Sequence, residues 1–125
     1  MILGLGIDLV EIERIRRAHA RFGERFLARI LTIPEIGYCL SQKDPAPSLA
    51  ARFAAKEAVS KALGTGIGLS LGWLDIEISR LPSGMPTVRL TDQGSSLLAE
   101  KGARSIYISL THTSTHAAAV AVIEN

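Results

Sequence analysis

A chain of 125 residues and 13.4 kDa, 47% hydrophobic and 21% charged, has the composition of one folded domain over 1–125, because a disordered chain would be poorer in apolar residues and richer in charge. Aromatic residues make up only 5%, so the core must rest on Ala, Leu, Ile and Val. The net charge of +2 hides an uneven spread: Arg14, Arg16, Arg17, Arg21, Arg25 and Arg29 put six of the 14 basic residues into one short stretch, which points to an anionic partner.

Residues 2–9 alternate as a strand does, with Leu3, Leu5, Ile7 and Leu9 on one face and Gly4, Gly6 and Asp8 on the other. Glycines in a strand mark close approach of another backbone or of a ligand. This start lacks a basic region and meets an acid at Asp8, unlike a secretory signal. From Glu11 the period becomes helical, with Ile12, Ile15, His19, Phe22 and Phe26 forming an apolar stripe. Arg14, Arg17, Arg21 and Arg25 run beside the stripe, and Gly23 divides the stretch into two helices. Cys39 is the single cysteine, which excludes an intramolecular disulfide framework and a cysteine zinc site; with no basic residue within three positions it reads as inert.

Residues 41–48, with Pro45 and Pro47, read as a loop where no helix can continue. An Ala-rich helix is predicted over 49–63, capped by Ser48 and stopped by Gly64. After the turn Gly64-Thr65-Gly66-Ile67-Gly68, strands are expected over 73–81 and 86–90, joined through Ser83-Gly84. A short helix over 91–101 takes Thr91 as its cap and Gly102 as its stop. Residues 105–112 alternate, and 117–123 are apolar on both faces, as a central strand requires. The uncharged run 106–123 holds too many Ser, Thr and His residues for a membrane span. The class is α+β, a mainly antiparallel sheet carrying helices, and the chain reads as soluble and cytosolic.

Glu57 and Lys61 lie four apart on one helix face with Phe53 a turn earlier. Alone they are an ordinary exposed pair, and Asp8 alone is a polar strand end. If the strand packs across the helix, Asp8 and Glu57 could converge on a hard cation such as magnesium, with phosphate and water as further ligands. The 64–68 turn could cradle phosphate, although it is not a Walker A loop: its lysine precedes the glycines. His112 shares parity with Ile106, Ile108 and Leu110, so it reads as a core histidine, and His112 with His116 lacks a third metal ligand. The arginine stripe suits either solvent or an acidic partner. No base-reading motif or stacking platform accompanies it, so neither nucleic acid nor membrane is expected.

Three segments together resemble the short holo-acyl-carrier-protein synthases among the 4′-phosphopantetheinyl transferases: Gly4-Leu5-Gly6-Ile7-Asp8-Leu9-Val10-Glu11-Ile12, the run from Arg52 to Gly66 around Lys56-Glu57-Ala58-Val59-Ser60-Lys61, and Ser109-Leu110-Thr111-His112-Thr113. The resemblance covers essentially the whole chain. It implies that the phosphopantetheine arm of coenzyme A, a substrate, passes to a serine of an apo acyl carrier protein, releasing adenosine 3′,5′-bisphosphate. It implies Asp8 and Glu57 as ligands of Mg2+, Lys61 as a phosphate contact and transition-state stabiliser, and Glu57, directly or through water, as the route for the serine proton. Lys43, Arg52, Gly64, Thr65, Gly66 and His112 are implied around the coenzyme and its phosphates. The first helical region would dock the acidic carrier protein through Arg14, Arg21 and Arg25, with Phe22 or Phe26 as an apolar anchor. Larger relatives carry a further acid two residues after the metal aspartate. Val10 stands there in this chain, which favours the short class and with it a homotrimer whose active sites lie between subunits. The competing reading is a non-catalytic adaptor that binds an acidic protein through the arginine stripe and leaves Asp8, Glu57 and Lys61 without a role.

Overall fold

In the computed structural model, which describes residues 1–125, the N-terminal alternation forms β1 (Ile2–Glu11). Three short helices follow: α1 (Ile12–Phe22), α2 (Glu24–Ile30) and α3 (Ile33–Leu40). The long α4 (Ala46–Ala62) leads through the glycine turn and a single 3-10 turn at Trp73–Asp75 into the hairpin β2 (Ile76–Arg80) and β3 (Pro86–Leu90). The chain ends with α5 (Asp92–Glu100), β4 (Ser105–His112) and β5 (His116–Glu124). Both sheets are antiparallel: β1-β5-β4 with β5 in the centre, and the separate pair β2-β3. The α+β class and the central position of the last strand are as the periodicity predicts.

The packing of β1 against α4 governs everything that follows. Α4 is buried on nearly all sides, and its inner surface is made of Ala50, Ala51, Ala54, Ala55, Ala58 and Ala62. Opposite it lies the glycine face of β1. A Cβ at Gly6 would fall inside the Ala58 carbonyl oxygen and 2.8 Å from the Ala62 nitrogen, and one at Gly4 would overlap the Ala62 carbonyl. Small residues on both surfaces let helix and strand backbones touch. The consequence is an inversion of the usual arrangement. The apolar face of β1 points outward, with Leu5, Ile7 and Leu9 each about two-thirds exposed.

Several local expectations are corrected. Ser48 does not cap α4, which begins two residues earlier at Ala46 with Pro45 at the cap position and Pro47 in the first turn. Proline there loses no helical hydrogen bond, because the first N–H groups have no intrahelical partner anyway, so 41–48 is not loop throughout. The segment 73–81 is strand only from Ile76. The helix α3 forms in a short stretch without a sustained apolar period, started by the Thr32–Glu35 half of a capping box, in which the Glu35 carboxylate accepts from Thr32 N–H. The stripe of 12–26 splits at Gly23, whose φ of 57° and ψ of −134° suit glycine alone, and the rotation leaves Phe22 exposed and buries Leu27 and Ile30. His112 is not a core histidine. It is exposed at the end of β4, one position before a turn held by Thr113 and Thr115. Thr91 caps α5 by accepting from Gly94 N–H at 3.4 Å, and the helix ends before Gly102, both as expected.

Candidate functional site

At the end of β1 that lies against α4, the Lys61 ammonium donates to Asp8 Oδ1 and to the Ile7 carbonyl, both at 3.0 Å. Glu57 stands one turn back on α4, half-buried. Burial pushes the Glu57 carboxyl above its ordinary range, the Asp8 charge raises it further, and Lys61 and Arg14 offset part of the rise. Two carboxylates from two elements thus share one edge with a lysine. The convergence requires the backbone contact of Gly6 with Ala58, because a side chain there would hold α4 away from Asp8.

The raised Glu57 carboxyl has a measurable sign. A carboxyl lifted on folding leaves stability whole below the unfolded carboxylate range and erodes it as pH rises through the folded value. Glu57→Gln is therefore expected to melt higher than the wild type at pH 7–8 without divalent cations, with the advantage shrinking towards acid. Melting curves across pH test this; a lower midpoint for Glu57→Gln at pH 8 would contradict it.

The donor set suits a hard, oxygen-seeking ion. No cluster of three or more His, Cys, Asp or Glu residues is present, so Asp8 and Glu57 offer two carboxylates and no soft ligand. Such a pair can hold an ion whose other ligands come from phosphate and water, and it is a poor match for structural zinc.

The remaining candidate residues divide by location. Arg14 lies with its guanidinium 5.9 Å above the Phe53 ring, which itself stacks on Trp73 at 4.9 Å, placing Arg14 beside the Glu57 turn of α4. Phe22, Arg25 and Phe26 line an open groove of about 510 Å3 together with Ala18 and Arg29, and Arg21 stacks on Phe22 at 5.1 Å. Arg29 was not among the expected contacts, although it falls one helical turn after Arg25. Lys43 is exposed between α3 and α4. Arg52 is only 2% exposed, stacks 4.2 Å over Tyr38, and its Nε has no hydrogen-bond partner. His112 is two strands away from Asp8, since Asp8, Ala119 and Leu110 stand opposite one another and His112 comes two residues later. Within one chain, no hydrogen bond joins Lys43, Arg52 or His112 to the Asp8 edge.

The glycine turn is also less open than its composition suggests. Gly64 N–H donates to Lys61 O at 3.0 Å, and the Thr65 and Gly66 amides both donate to Ser60 O at 3.1 Å. These amides close the C-terminus of α4 and do not point as a free cradle. The positive charge at this turn comes from a residue absent from the expected set: the Lys101 ammonium lies 3.1 Å from where a Gly64 Cβ would stand. Lys101 follows the C-terminal end of α5, far along the chain, and so gives no local signal.

Comparison with known proteins gives a consistent result. A family model described as the 4′-phosphopantetheinyl transferase superfamily matches residues 4–121. The holo-[acyl-carrier-protein] synthase of Chlamydia muridarum is 52% identical over 123 residues, covering 98% of this chain and 95% of that protein. The crystal structure of the Neisseria meningitidis holo-[acyl-carrier-protein] synthase superposes with a TM-score of 0.92 at 36% identity, covering all of both chains. The Helicobacter pylori synthase, solved in complex with coenzyme A, gives 0.86 at 40% identity over 96% of this chain and 99% of that one.

Proposed function

The chain belongs to the 4′-phosphopantetheinyl transferase superfamily, and from this premise we propose how its residues carry out the transfer. It moves the 4′-phosphopantetheine arm of coenzyme A to a serine of an apo acyl carrier protein. The serine oxygen bonds to the phosphorus that bears the pantetheine arm, the bond from that phosphorus to the bridging oxygen breaks, and adenosine 3′,5′-bisphosphate leaves. The observation that carries the assignment of roles is the meeting of Asp8, Glu57 and Lys61 on one edge.

Asp8 and Glu57 are the residues that would hold magnesium. The ion, when bound, neutralises charge on the pyrophosphate and on the departing bisphosphate. Glu57, whose carboxyl already favours the proton more than an ordinary glutamate does, takes the serine proton directly or through water. Lys61, with its side chain half exposed, turns to a pyrophosphate oxygen and stabilises charge developing there. Gly64, Thr65 and Gly66 pass the coenzyme by shape, and Lys101 adds a cation at that turn.

The groove of Phe22, Arg25, Phe26 and Arg29, with Arg14 and Arg21 nearby, receives the acidic carrier protein: apolar floor, cationic rim. The outward face of the main sheet is the reason to expect a homotrimer. The rows Leu5–Val122–Tyr107 and Ile7–Val120–Ser109 run across three strands; in one chain Leu5, Ile7 and Tyr107 stay exposed, with Val120 and Val122 half-buried between them. Packing against further copies would cover this face and would bring His112, exposed at the end of β4 in the same sheet, towards the Asp8 edge of the next subunit. A monomeric mass at micromolar concentration would remove the trimer.

The deciding experiment is the intact mass of an apo acyl carrier protein after incubation with this protein, coenzyme A and magnesium. A gain of one phosphopantetheine arm is expected, and none with excess chelator. Persistence of the gain in chelator would refute the metal, while no gain on two different carrier proteins would refute the transfer.

A further inference from the structure

The largest wholly buried side chain is a charged one. Lys56 precedes Glu57 in the chain, is 0% exposed, and points to a different side of α4, about 100° round the helix. Its three ammonium hydrogens meet three acceptors: the Ile30 carbonyl at 2.7 Å, Glu35 Oε1 at 2.7 Å and the Trp73 carbonyl at 3.1 Å. Glu35, 1% exposed, accepts in addition from Thr32 N–H on Oε1 and from Ile78 N–H on Oε2, each at 2.8 Å. One ion pair therefore joins the end of α2, the start of α3, the 3-10 turn and β2 to a single position on α4. Every hydrogen of Lys56 is used, as a buried cation requires.

Helix α2 is placed by Leu27 and Ile30 in the core and, at its C-terminal end, by this node. Α2 has seven residues and is separated from α1 by the break at Gly23, so the direction of α1 does not determine where α2 lies. Its last carbonyl, Ile30 O, is the one that Lys56 holds, a cation at the negative end of a helix. Α2 supplies Arg25, Phe26 and Arg29 to the groove, and the residue after Lys56 is Glu57. From this placement we infer that Lys56 is a positioning residue: the Lys56–Glu35 pair sets the distance between the carrier-docking groove on α2 and the Glu57 carboxylate on α4. The inference rests on the transferase reading for the occupant of the groove, and on the structure for the tie.

The consequence is a selective defect. Coenzyme A meets the Asp8, Glu57 and Lys61 side of α4, whereas the carrier protein must bridge α2 and that side, so loosening the node affects the carrier first. The test uses the full chain, with Lys56→Met and Glu35→Gln; the latter keeps the size of Glu35 and leaves Lys56 its two carbonyl partners should Lys56→Met fail to fold. Ile106→Ala on β4, a half-buried residue that takes no part in the node's hydrogen bonds, serves as the control for general destabilisation. Each is assayed well below its melting midpoint, with coenzyme A affinity from direct binding and KM for the carrier protein from steady-state turnover. The folded node variants are expected to raise the carrier KM about tenfold while coenzyme A affinity moves less than about threefold, a split that a uniform loss of structure would not produce. Ile106→Ala should leave both values near wild type. An unchanged carrier KM in a folded node variant, or a parallel loss of coenzyme A affinity, would overturn the positioning role alone. A wild-type protein that leaves the carrier unmodified would overturn the transferase reading and the docking role with it.

Discussion

Asp8→Ala and Glu57→Ala are each expected to cut turnover roughly 1000-fold or more, about 4 kcal/mol of barrier, while the chain stays folded. The size follows from the donor set. Only two protein carboxylates face the edge where the ion is placed, so losing either removes half of the protein's own hold on it, and losing Glu57 also removes the group assigned to the serine proton. The fold should tolerate both changes. The Asp8–Lys61 pair is partly exposed and contributes at most about 1 kcal/mol, and the ionised Glu57 is a burden on folding at neutral pH. Stopped assays with mass detection, beside melting curves, measure both halves of the expectation. A variant that is folded and retains more than a tenth of wild-type turnover would remove that residue from the site. A non-catalytic adaptor would keep its carrier affinity in both variants and show no turnover in the wild type.

Gly6→Ala should be the most damaging of the glycine-to-alanine changes in the chain. Its Cβ would meet the Ala58 carbonyl oxygen and lie 2.9 Å from the Ala58 carbonyl carbon, and both belong to the backbone of a buried helix, so no rotamer change relieves the overlap. Overpacking in a core commonly costs about 1–3 kcal/mol, and this contact, backbone against backbone, belongs at the upper end, roughly 10 °C in melting temperature. Relief requires α4 to move off β1, which draws Glu57 and Lys61 away from Asp8. Turnover at temperatures where the variant is folded should therefore fall as well. Gly37→Ala is the natural comparison, since a Cβ there meets nothing within 4 Å. A Gly6→Ala protein with wild-type melting and turnover would show that the close approach does not determine the site.

How much of this was legible beforehand depends on the range of the interaction. Glu57 and Lys61 share a helix face by their four-residue spacing, and the carboxylate at Asp8 follows two glycines on one strand face, so both halves of the site could be read locally. Arg52 shows the opposite case: its place in a phosphate-binding motif came from resemblance, yet in the folded chain it is buried against Tyr38 on another side of α4. Lys101 and the Lys56–Glu35 pair carried no local signal, because each acts through partners brought near by the fold; Glu35 and Lys56 are 21 residues apart.

Periodicity, capping residues and glycine positions determine the order of helices and strands in this protein, because those signals act over one or two turns of chain. The family motifs determine its chemistry through the residue types that chemistry needs. The glycine face of β1 is legible in the sequence as a place of close approach. That α4 is what packs there, leaving Leu5, Ile7 and Leu9 outward, was decided only in three dimensions. Hydrophobic alternation alone favours burying Leu5, Ile7 and Leu9, but α4 packs against the bare glycine face, where two backbones can touch and where Asp8 then meets Glu57. The free energy of that choice lies in contacts between residues some fifty positions apart, which no local pattern encodes.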